Sequence, residues 1–216
     1  MIITCIGHAK FLLELENGMR IVTDPYDKTC GYPVTPMQAD VVLVSHGHHD
    51  HNAVETIKGK PLIIDQEGEY NLDNGINISA MWADHDEDGG TKRGKTLLFR
   101  IQVEGLTVAH LGDLGHLPTE QHRMFMGHVS VLMVPVGGFY TIDAPTAKQT
   151  AELFDARVVL PMHYKTRVNA DWPIASVEAF TQLYNQHVEE LDMLRVARGD
   201  LECQPKVAVL RPKSLK

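Results

Sequence analysis

Apolar residues along this chain occur in short runs or alternate with polar residues, which is typical of β-strands. These stretches predict strands over residues 2–6, 10–16, 19–23, 41–45, 61–65, 76–83, 96–103, 106–111, 129–136, 157–162, 193–197 and 206–210. Asn17-Gly18, between the second and third stretches, predicts a hairpin turn. The apolar run within 41–45 is uninterrupted and therefore predicts a buried strand.

Fewer segments show the patterns that are typical of helices than show those of strands. Residues 52–58 predict one or two helical turns, and Ala144-Pro145 predicts the start of a helix that ends near Phe154. A second helix is predicted over 174–186 from the apolar spacing of Ile174, Val177, Phe180, Leu183 and Tyr184. With no repeat and no linker, residues 1–216 are predicted to form one domain, an α/β sandwich of two packed sheets with helices outside.

Composition limits the classes of function. The 216 residues are 44% hydrophobic and 22% charged, with a formal net charge of −8 and no basic cluster large enough for a nucleic-acid surface. No apolar run reaches the length of a transmembrane helix, and the first residues lack the features of a signal peptide. Three cysteines without a C-x-x-C motif favour a reducing cytoplasm. We therefore expect a cytoplasmic protein without nucleic-acid or membrane partners.

The segment VVLVSHGHHDHN, residues 41–52, places four histidines and an aspartate directly after a buried strand. In extended chain, residues two apart point the same way, so His46 and His48 can reach one metal ion. Asp50 and His51 follow in the turn and can face a second ion. Imidazole and carboxylate together suit zinc, with manganese and iron as harder alternatives.

Three more polar residues come where an apolar strand stops. His85 ends NISAMWAD, Asp113 follows LTVAHLG, and His163 follows RVVLPM. Together with residues 46–51, they predict a site at one edge of the sheets.

The motif H-x-H-x-D-H at 46–51 resembles the signature of the metallo-β-lactamase superfamily of metal-dependent hydrolases. The order of an early Asp24-Pro25, a lone His85, Gly112-Asp113 and a late His163 is similar as well. IGHAKFLLEL, TDPY, GEY at 68–70 and LPMHY resemble a branch of small hydrolases that includes the L-ascorbate-6-phosphate lactonases.

This resemblance implies a four-layer αββα sandwich with two divalent metal ions, zinc being favoured. His46, His48 and His85 would bind the first ion, Asp50, His51 and His163 the second, and Asp113 both. Asp24 would orient the motif loop from outside the ligand set. Asp84, Asp86 or Asp88 could compete with His85, and His49 is interpreted as a non-ligand.

Other histidines have less defined roles. His110 is interpreted as a packed residue, whereas His8 and His116 are candidates to line the substrate pocket. Histidine at position 48, where flavodiiron-type relatives carry glutamate, argues against redox chemistry with oxygen.

The resulting hypothesis is metal-assisted hydrolysis of an ester-like bond, a lactone or a phosphodiester, by a metal-bound hydroxide with Asp50 and Asp113 as catalytic carboxylates. Two groups of basic residues suggest an anionic small-molecule substrate: Lys165 and Arg167 after His163, and Lys92, Arg93 and Lys95 after His85. In the first group, Lys165 is the candidate binding residue. The second group could equally be a solvated loop. An iron-dependent oxygenase of the same fold and a non-catalytic metal-binding protein are the alternatives. A homo-oligomer is left open.

Overall fold

The computed structural model describes residues 1–185 and 187–215. The strands in this part of the chain are β1 (Ile2–Gly7), β2 (Lys10–Glu14), β3 (Arg20–Thr23), β4 (Met37–Gln38), β5 (Val41–Leu43), β6 (Ile57–Lys58), β7 (Leu62–Ile64), β8 (Gly68–Leu72), β9 (Ile76–Asp84), β10 (Lys95–Val103), β11 (Leu106–His110), β12 (Val131–Pro135), β13 (Val158–Met162), β14 (Val188–Leu191), β15 (Leu194–Arg195) and β16 (Val207–Leu210). The α-helices are α1 (Glu120–Met126), α2 (Ala144–Leu153) and α3 (Glu178–Thr181).

The strands form two large mixed sheets and one small sheet. The first sheet has the order β15-β1-β2-β3-β5-β7, and the second has the order β14-β16-β13-β12-β11-β10-β9-β8. In the first sheet β3, β5 and β7 are parallel, and in the second β11, β12 and β13 are parallel. The ends of parallel strands meet at one edge of a sheet, so residues that follow β5, β11 and β13 are brought to the sheet edges.

The apolar faces of the two large sheets pack against each other. Ile3 and Leu13 from the first sheet and Phe99 and Leu160 from the second are completely buried in this shared core. Burial of an aliphatic or aromatic side chain of this size contributes ~1.5–3 kcal/mol. The core between the sheets is therefore the main support for the strand ends that carry the polar residues.

The two outer faces are covered differently. Over the second sheet, Met126 of α1, Ala147 of α2 and Phe180 of α3 are buried against strand residues. Over the first sheet, the apolar cover comes from the small β4–β6 sheet and a 3-10 turn, Val54–Thr56. The predicted α/β sandwich is confirmed, although in the described part of the chain the layer over the first sheet contains no α-helix.

The predicted helix over residues 174–186 is wrong in its extent. Only Glu178–Thr181 is α-helical, and residue 186 lies outside the described residues. The Ala175 N–H donates to the Gly137 carbonyl, and the Ala175 carbonyl accepts from the Lys165 N–H. These hydrogen bonds to distant chain hold the backbone extended, so tertiary pairing overrides the helical spacing.

Helix α2 agrees with its prediction because its start signals are strong. Asp143 caps it by accepting from the Thr146 N–H, and Pro145 lies in the first turn. Helix α1 was not predicted. Its capping box pairs Thr119 with His122 instead of the usual glutamate or glutamine, which hides the signal.

Among the described residues, no helix has the length and apolar character needed to cross a membrane.

Substitution of Phe99 tests the importance of the core between the sheets. Phe99→Ala should lower the free energy of unfolding by about 3–5 kcal/mol, because it leaves a cavity in a fully buried position. Met124→Ala on α1, where the methionine is 74% exposed, should change it by less than ~0.5 kcal/mol. Denaturant unfolding of both variants measures the difference, and similar losses would contradict this description of the core.

Candidate metal centre

The strand-end residues predicted from the sequence converge in space. His46, His48, Asp50 and His51 follow β5, and His85, Asp113 and His163 follow β9, β11 and β13 respectively. Two hydrogen bonds hold these ends together, one between the two sheets and one within the second sheet. The Ser45 carbonyl accepts from the Leu97 N–H of β10, and the Asp113 N–H donates to the Thr96 hydroxyl.

The Asp113 carboxylate lies at the centre of this cluster and is buried. Its Oδ2 atom is 3.2 to 3.8 Å from the Nε2 atoms of four histidines, which are His163, His51, His85 and His46. Burial opposes ionisation, but the surrounding imidazoles outweigh it and keep the pKa of Asp113 well below its usual range. Asp113 therefore carries a negative charge at the point where the histidines meet.

The Asp50 carboxylate forms a second focus beside the first. Its Oδ2 atom is 3.3 Å from Nε2 of His8 and 3.6 Å from Nε2 of His51. The His8 ring is 4.2 Å from that of His163, measured between centroids. His8 is thus part of the cluster itself, whereas the sequence suggested only that it could line a pocket.

The donor atoms fit divalent cations. Three combinations bring one ligand atom from each residue within 4.8 Å of one another, namely His8-Asp50-His51-His163, His46-His48-His85 and His46-His51-Asp113. Nε2 of His46, Nε2 of His51 and Oδ1 of Asp113 are buried, and none of them has a hydrogen-bond partner among the described residues. An unpaired buried polar atom costs ~1–3 kcal/mol. A bound cation would supply these atoms with the partner that the described residues do not provide.

Burial keeps His46 in the form that a metal needs. It lowers the pKa of His46 to about 3 and that of His8 to about 4, so both rings are neutral at pH 7. For His51, burial acts in the same direction, but the negative charges of Asp113 and Asp24 outweigh it and raise the pKa. A cation at this position would compete with that proton, because only a deprotonated nitrogen binds metal.

Asp24 holds the motif from behind. Its Oδ1 accepts from the Ser45 N–H at 2.7 Å, and its Oδ2 accepts from the Ser45 hydroxyl at 2.7 Å and faces Nδ1 of His51 at 2.8 Å. The Ser45 Oγ is also 2.8 Å from Nδ1 of His46. If both Nδ1 atoms carry protons, Nε2 of each ring is left for the cluster. The sequence did not single out Ser45, since a lone serine between strand and motif carries no distinctive signal.

His48 and His49 are exposed at the mouth of the cluster. The His48 ring centroid is 4.6 Å from that of His46 and 5.3 Å from that of His85. His49 belongs to none of the three combinations, and its carbonyl accepts from the Asp27 N–H at 3.4 Å.

Two of the three aspartates that could compete with His85, Asp86 and Asp88, have other partners. Asp86 accepts backbone N–H groups from residues 88, 90, 92 and 93. Desolvation opposes its ionisation, but these donors outweigh it and lower the pKa of Asp86 to about 2. Asp88 pairs with Lys92. No carboxylate of this segment enters the three combinations, whereas His85 does.

Two glycines permit the close approach of these loops. Gly112 has φ +48°, and a Cβ there would lie 2.3 Å from the Thr96 hydroxyl. A Cβ on Gly115 would lie 2.2 Å from the carbonyl carbon of His85. Side chains at either position would push Asp113 away from the end of β5 or from His85.

The cluster opens into a cleft of about 360 Å³, which is lined by His48, His49, Asp50, His85, Arg93, Asp113, Tyr140, His163 and Trp172. Arg93 belongs to the basic group after His85 that the sequence singled out, whereas Tyr140 and Trp172 were not identified, because they lie on loops without a motif. His116 is turned to the backbone, with Nδ1 2.8 Å from the Leu117 carbonyl and Nε2 accepting from the Asp84 N–H. Lys165 is not among the lining residues, and its role in substrate binding stays a prediction.

His110 packs behind the cluster. Its Nε2 is 3.0 Å from the Ala9 carbonyl, and its Nδ1 accepts from the Gly112 N–H at 3.1 Å. Both ring nitrogens thus bond to backbone, which agrees with its interpretation as a packed residue.

The chain is similar in sequence to known metal-dependent hydrolases. The family described as Beta-lactamase superfamily domain matches residues 2–163. A UPF0173 metal-dependent hydrolase of Archaeoglobus fulgidus is 31% identical over 198 residues, covering 77% of this chain and 84% of that protein. Its counterpart in Carboxydothermus hydrogenoformans is 29% identical over 210 residues, covering 82% and 88% respectively.

Solved structures show the same fold. A Thermotoga maritima protein assigned to the Zn-dependent hydrolases of the metallo-beta-lactamase superfamily is 37% identical, with a TM-score of 0.79 and coverage of 97% of both chains. A metallo hydrolase of Ignicoccus hospitalis is 25% identical, with a TM-score of 0.68 and coverage of 98% of this chain and 95% of the other.

The geometry around Asp24 predicts its effect on metal binding. Asp24→Asn should weaken affinity for Zn²⁺ about 10–100-fold, because the amide cannot accept from both Ser45 and His51 as the carboxylate does. Asp40→Asn is the matched control, since Asp40 is an exposed carboxylate just before β5 that accepts from the Arg20 N–H. Competition against a chromogenic chelator measures both affinities. Equal affinities in the two variants would mean that Asp24 does not orient the cluster.

Proposed function

Because this chain belongs to the beta-lactamase superfamily and to its UPF0173 family of metal-dependent hydrolases, we propose that it binds two divalent cations and cleaves an ester-like bond. Metal-dependent hydrolysis is the activity of the family. To it we add the dinuclear centre, a lactone or phosphodiester as the bond that is cleaved, and a small anionic substrate. The similarity of GEY at 68–70 and LPMHY to the L-ascorbate-6-phosphate lactonases makes a phosphorylated lactone one candidate.

The observation that carries this proposal is the position of Asp113. One carboxylate oxygen lies within 4 Å of histidine nitrogens from all the strand ends that form the cluster. We assign His46, His48 and His85 to one cation and Asp50, His51 and His163 to the other, with Asp113 shared. His8 is assigned to hold Asp50, because its Nε2 faces Oδ2 of that carboxylate. Zinc is favoured by the imidazole-rich set, and manganese and iron are the alternatives.

Cations bound here would lower the pKa of water from ~15.7 toward ~7, which supplies a nucleophile at neutral pH. The protein's own residues supply position. Asp50 borders the cleft, so its carboxylate would hold the second cation beside a bound substrate. His8 lies beside that carboxylate, with its Nε2 3.3 Å from Oδ2, and Asp24 keeps Nε2 of His51 directed at the cluster.

Metal content tests the dinuclear centre. The protein should purify with up to two divalent transition metals per chain, and chelation should abolish hydrolysis and lower the melting temperature. A site that is loaded at 100 times its Kd contributes ~2.7 kcal/mol to stability, so the shift should be several degrees. Elemental analysis and thermal unfolding before and after chelation give the answer. Absence of metal, together with no shift on adding Zn²⁺ or Mn²⁺, would contradict the centre.

Asp113 tests the shared ligand. Asp113→Ala should reduce the metal content and lower kcat/KM by more than about 100-fold, because it would remove a ligand from both cations. His110→Ala, which removes a buried ring that bonds to backbone, should retain metal and lose less activity. Metal analysis and kinetics on a lactone and a phosphodiester compare the two variants. Equal losses of metal would show that Asp113 is not shared.

A further inference from the structure

Arg93 is the candidate for recognising the substrate's charge. Of the nine residues that border the cleft in the described chain, it is the only lysine or arginine. Tyr140 and Trp172 border the same cleft, and the side chains of all three are partly exposed. A ligand that reaches the histidine cluster is therefore within the same cavity as one guanidinium and two aromatic rings.

The turn that carries Arg93 is tightly organised. Oδ2 of the buried Asp86 accepts the N–H groups of Lys92 at 2.9 Å and Arg93 at 2.8 Å. The Arg93 guanidinium carbon lies 5.6 Å from the ring centroid of Tyr140 and 6.0 Å from that of Phe139. Both contacts are within the range of cation–π attraction. Backbone and side chain are thus both held, which argues against a merely solvated loop.

The charge of Arg93 is left for a ligand. Among the residues that the structure describes, Arg93 forms no ion pair: no carboxylate oxygen lies within 4.0 Å of its guanidinium. The acidic residues near it are committed elsewhere: Asp86 to backbone N–H groups, Asp88 to Lys92, and Asp143 to the start of α2. Glu87 is exposed and borders a neighbouring cavity, which Arg93 and Tyr140 border as well, but it does not border the cleft.

We propose that Arg93 binds an oxyanion of the substrate, a carboxylate or phosphate that is not part of the cleaved bond, while Tyr140 and Trp172 contact the atoms between. This proposal rests on the function proposed above and identifies the residue that selects for charge. The planar guanidinium suits such groups because it can donate two parallel hydrogen bonds. Aromatic rings add contact area at a low cost in side-chain entropy.

Kinetics on a matched pair of esters test the charge selection. The probes are mono-4-nitrophenyl glutarate, which carries a free carboxylate, and its methyl ester, which is neutral. In zinc-loaded protein, Arg93→Gln should raise KM for the anionic ester roughly tenfold, the low end for a charge-assisted hydrogen bond at a partly exposed site. kcat should change little, as expected for loss of uniform binding. Turnover of the neutral ester should be unchanged.

Two further variants separate charge from structure. Arg93→Lys keeps the charge but loses the second hydrogen bond, and should show a smaller increase in KM than Arg93→Gln. Arg195→Gln changes the net charge by the same amount at an exposed position on β15 and should leave both esters unaffected. Equal effects of Arg93→Gln on both esters, or no effect on either, would overturn the proposal.

Binding measurements distinguish failure of this proposal from failure of the proposed function. If the zinc- and manganese-loaded protein hydrolyses neither ester, no lactone and no phosphodiester, the proposed bond class is wrong. Calorimetric titration with 4-phenylbutyrate and its neutral amide then decides the role of Arg93. Arg93→Gln should weaken the carboxylate about tenfold and leave the amide unchanged, because any contact with metal is the same in both proteins. Equal weakening, or no binding of either ligand to the unaltered protein, would overturn the role.

Discussion

The buried carboxylate of Asp24 is the constraint on which the site depends. It is completely excluded from water, and an ionised carboxyl in that position is tolerable only if donors surround it. The donors are the Ser45 N–H and hydroxyl and Nδ1 of His51, all within 2.8 Å. Satisfying Asp24 therefore fixes the end of β5 and the His51 ring in one step. Removal of one partner from such a network typically costs ~3–5 kcal/mol, so the arrangement resists distortion.

The cluster in front of Asp24 differs from it, because several of the buried polar atoms in the cluster have no hydrogen-bond partner in the part of the protein that the structure describes. Nε2 of His46 and Oδ1 of Asp113 are buried without hydrogen bonds among the described residues. Burial also lowers the pKa of His46 to about 3, so the ring does not gain a proton to pair with the carboxylates at neutral pH. The core between the sheets has to stabilise these groups until a cation does so. Stability of the fold and affinity for metal are thus linked through the same atoms.

The sequence predicted the convergence of the histidines and aspartates better than the rest of the cleft. His46, Asp113 and His163 each follow an apolar strand, and strand ends meet at an edge by the rules of sheet packing. Arg93, Tyr140 and Trp172 lie on loops, whose paths depend on tertiary hydrogen bonds such as those to Asp86. The same limit explains the helix predicted over 174–186, where backbone pairing with Lys165 and Gly137 overrides apolar spacing.

Lys165 and Arg93 show why distance along the chain is a poor guide to position around a site. Lys165 is two residues from His163, and in extended chain both side chains would point the same way. His163, however, has a left-handed backbone with φ +53°, and Lys165 pairs with Ser176 beyond that turn. Arg93 is eight residues from His85, but the Asp86 turn folds the segment back and places its side chain at the cleft. The buried Asp86 carboxylate thus helps to bring Arg93 to the border of the cleft, as Asp24 helps to direct Nε2 of His51 at the cluster.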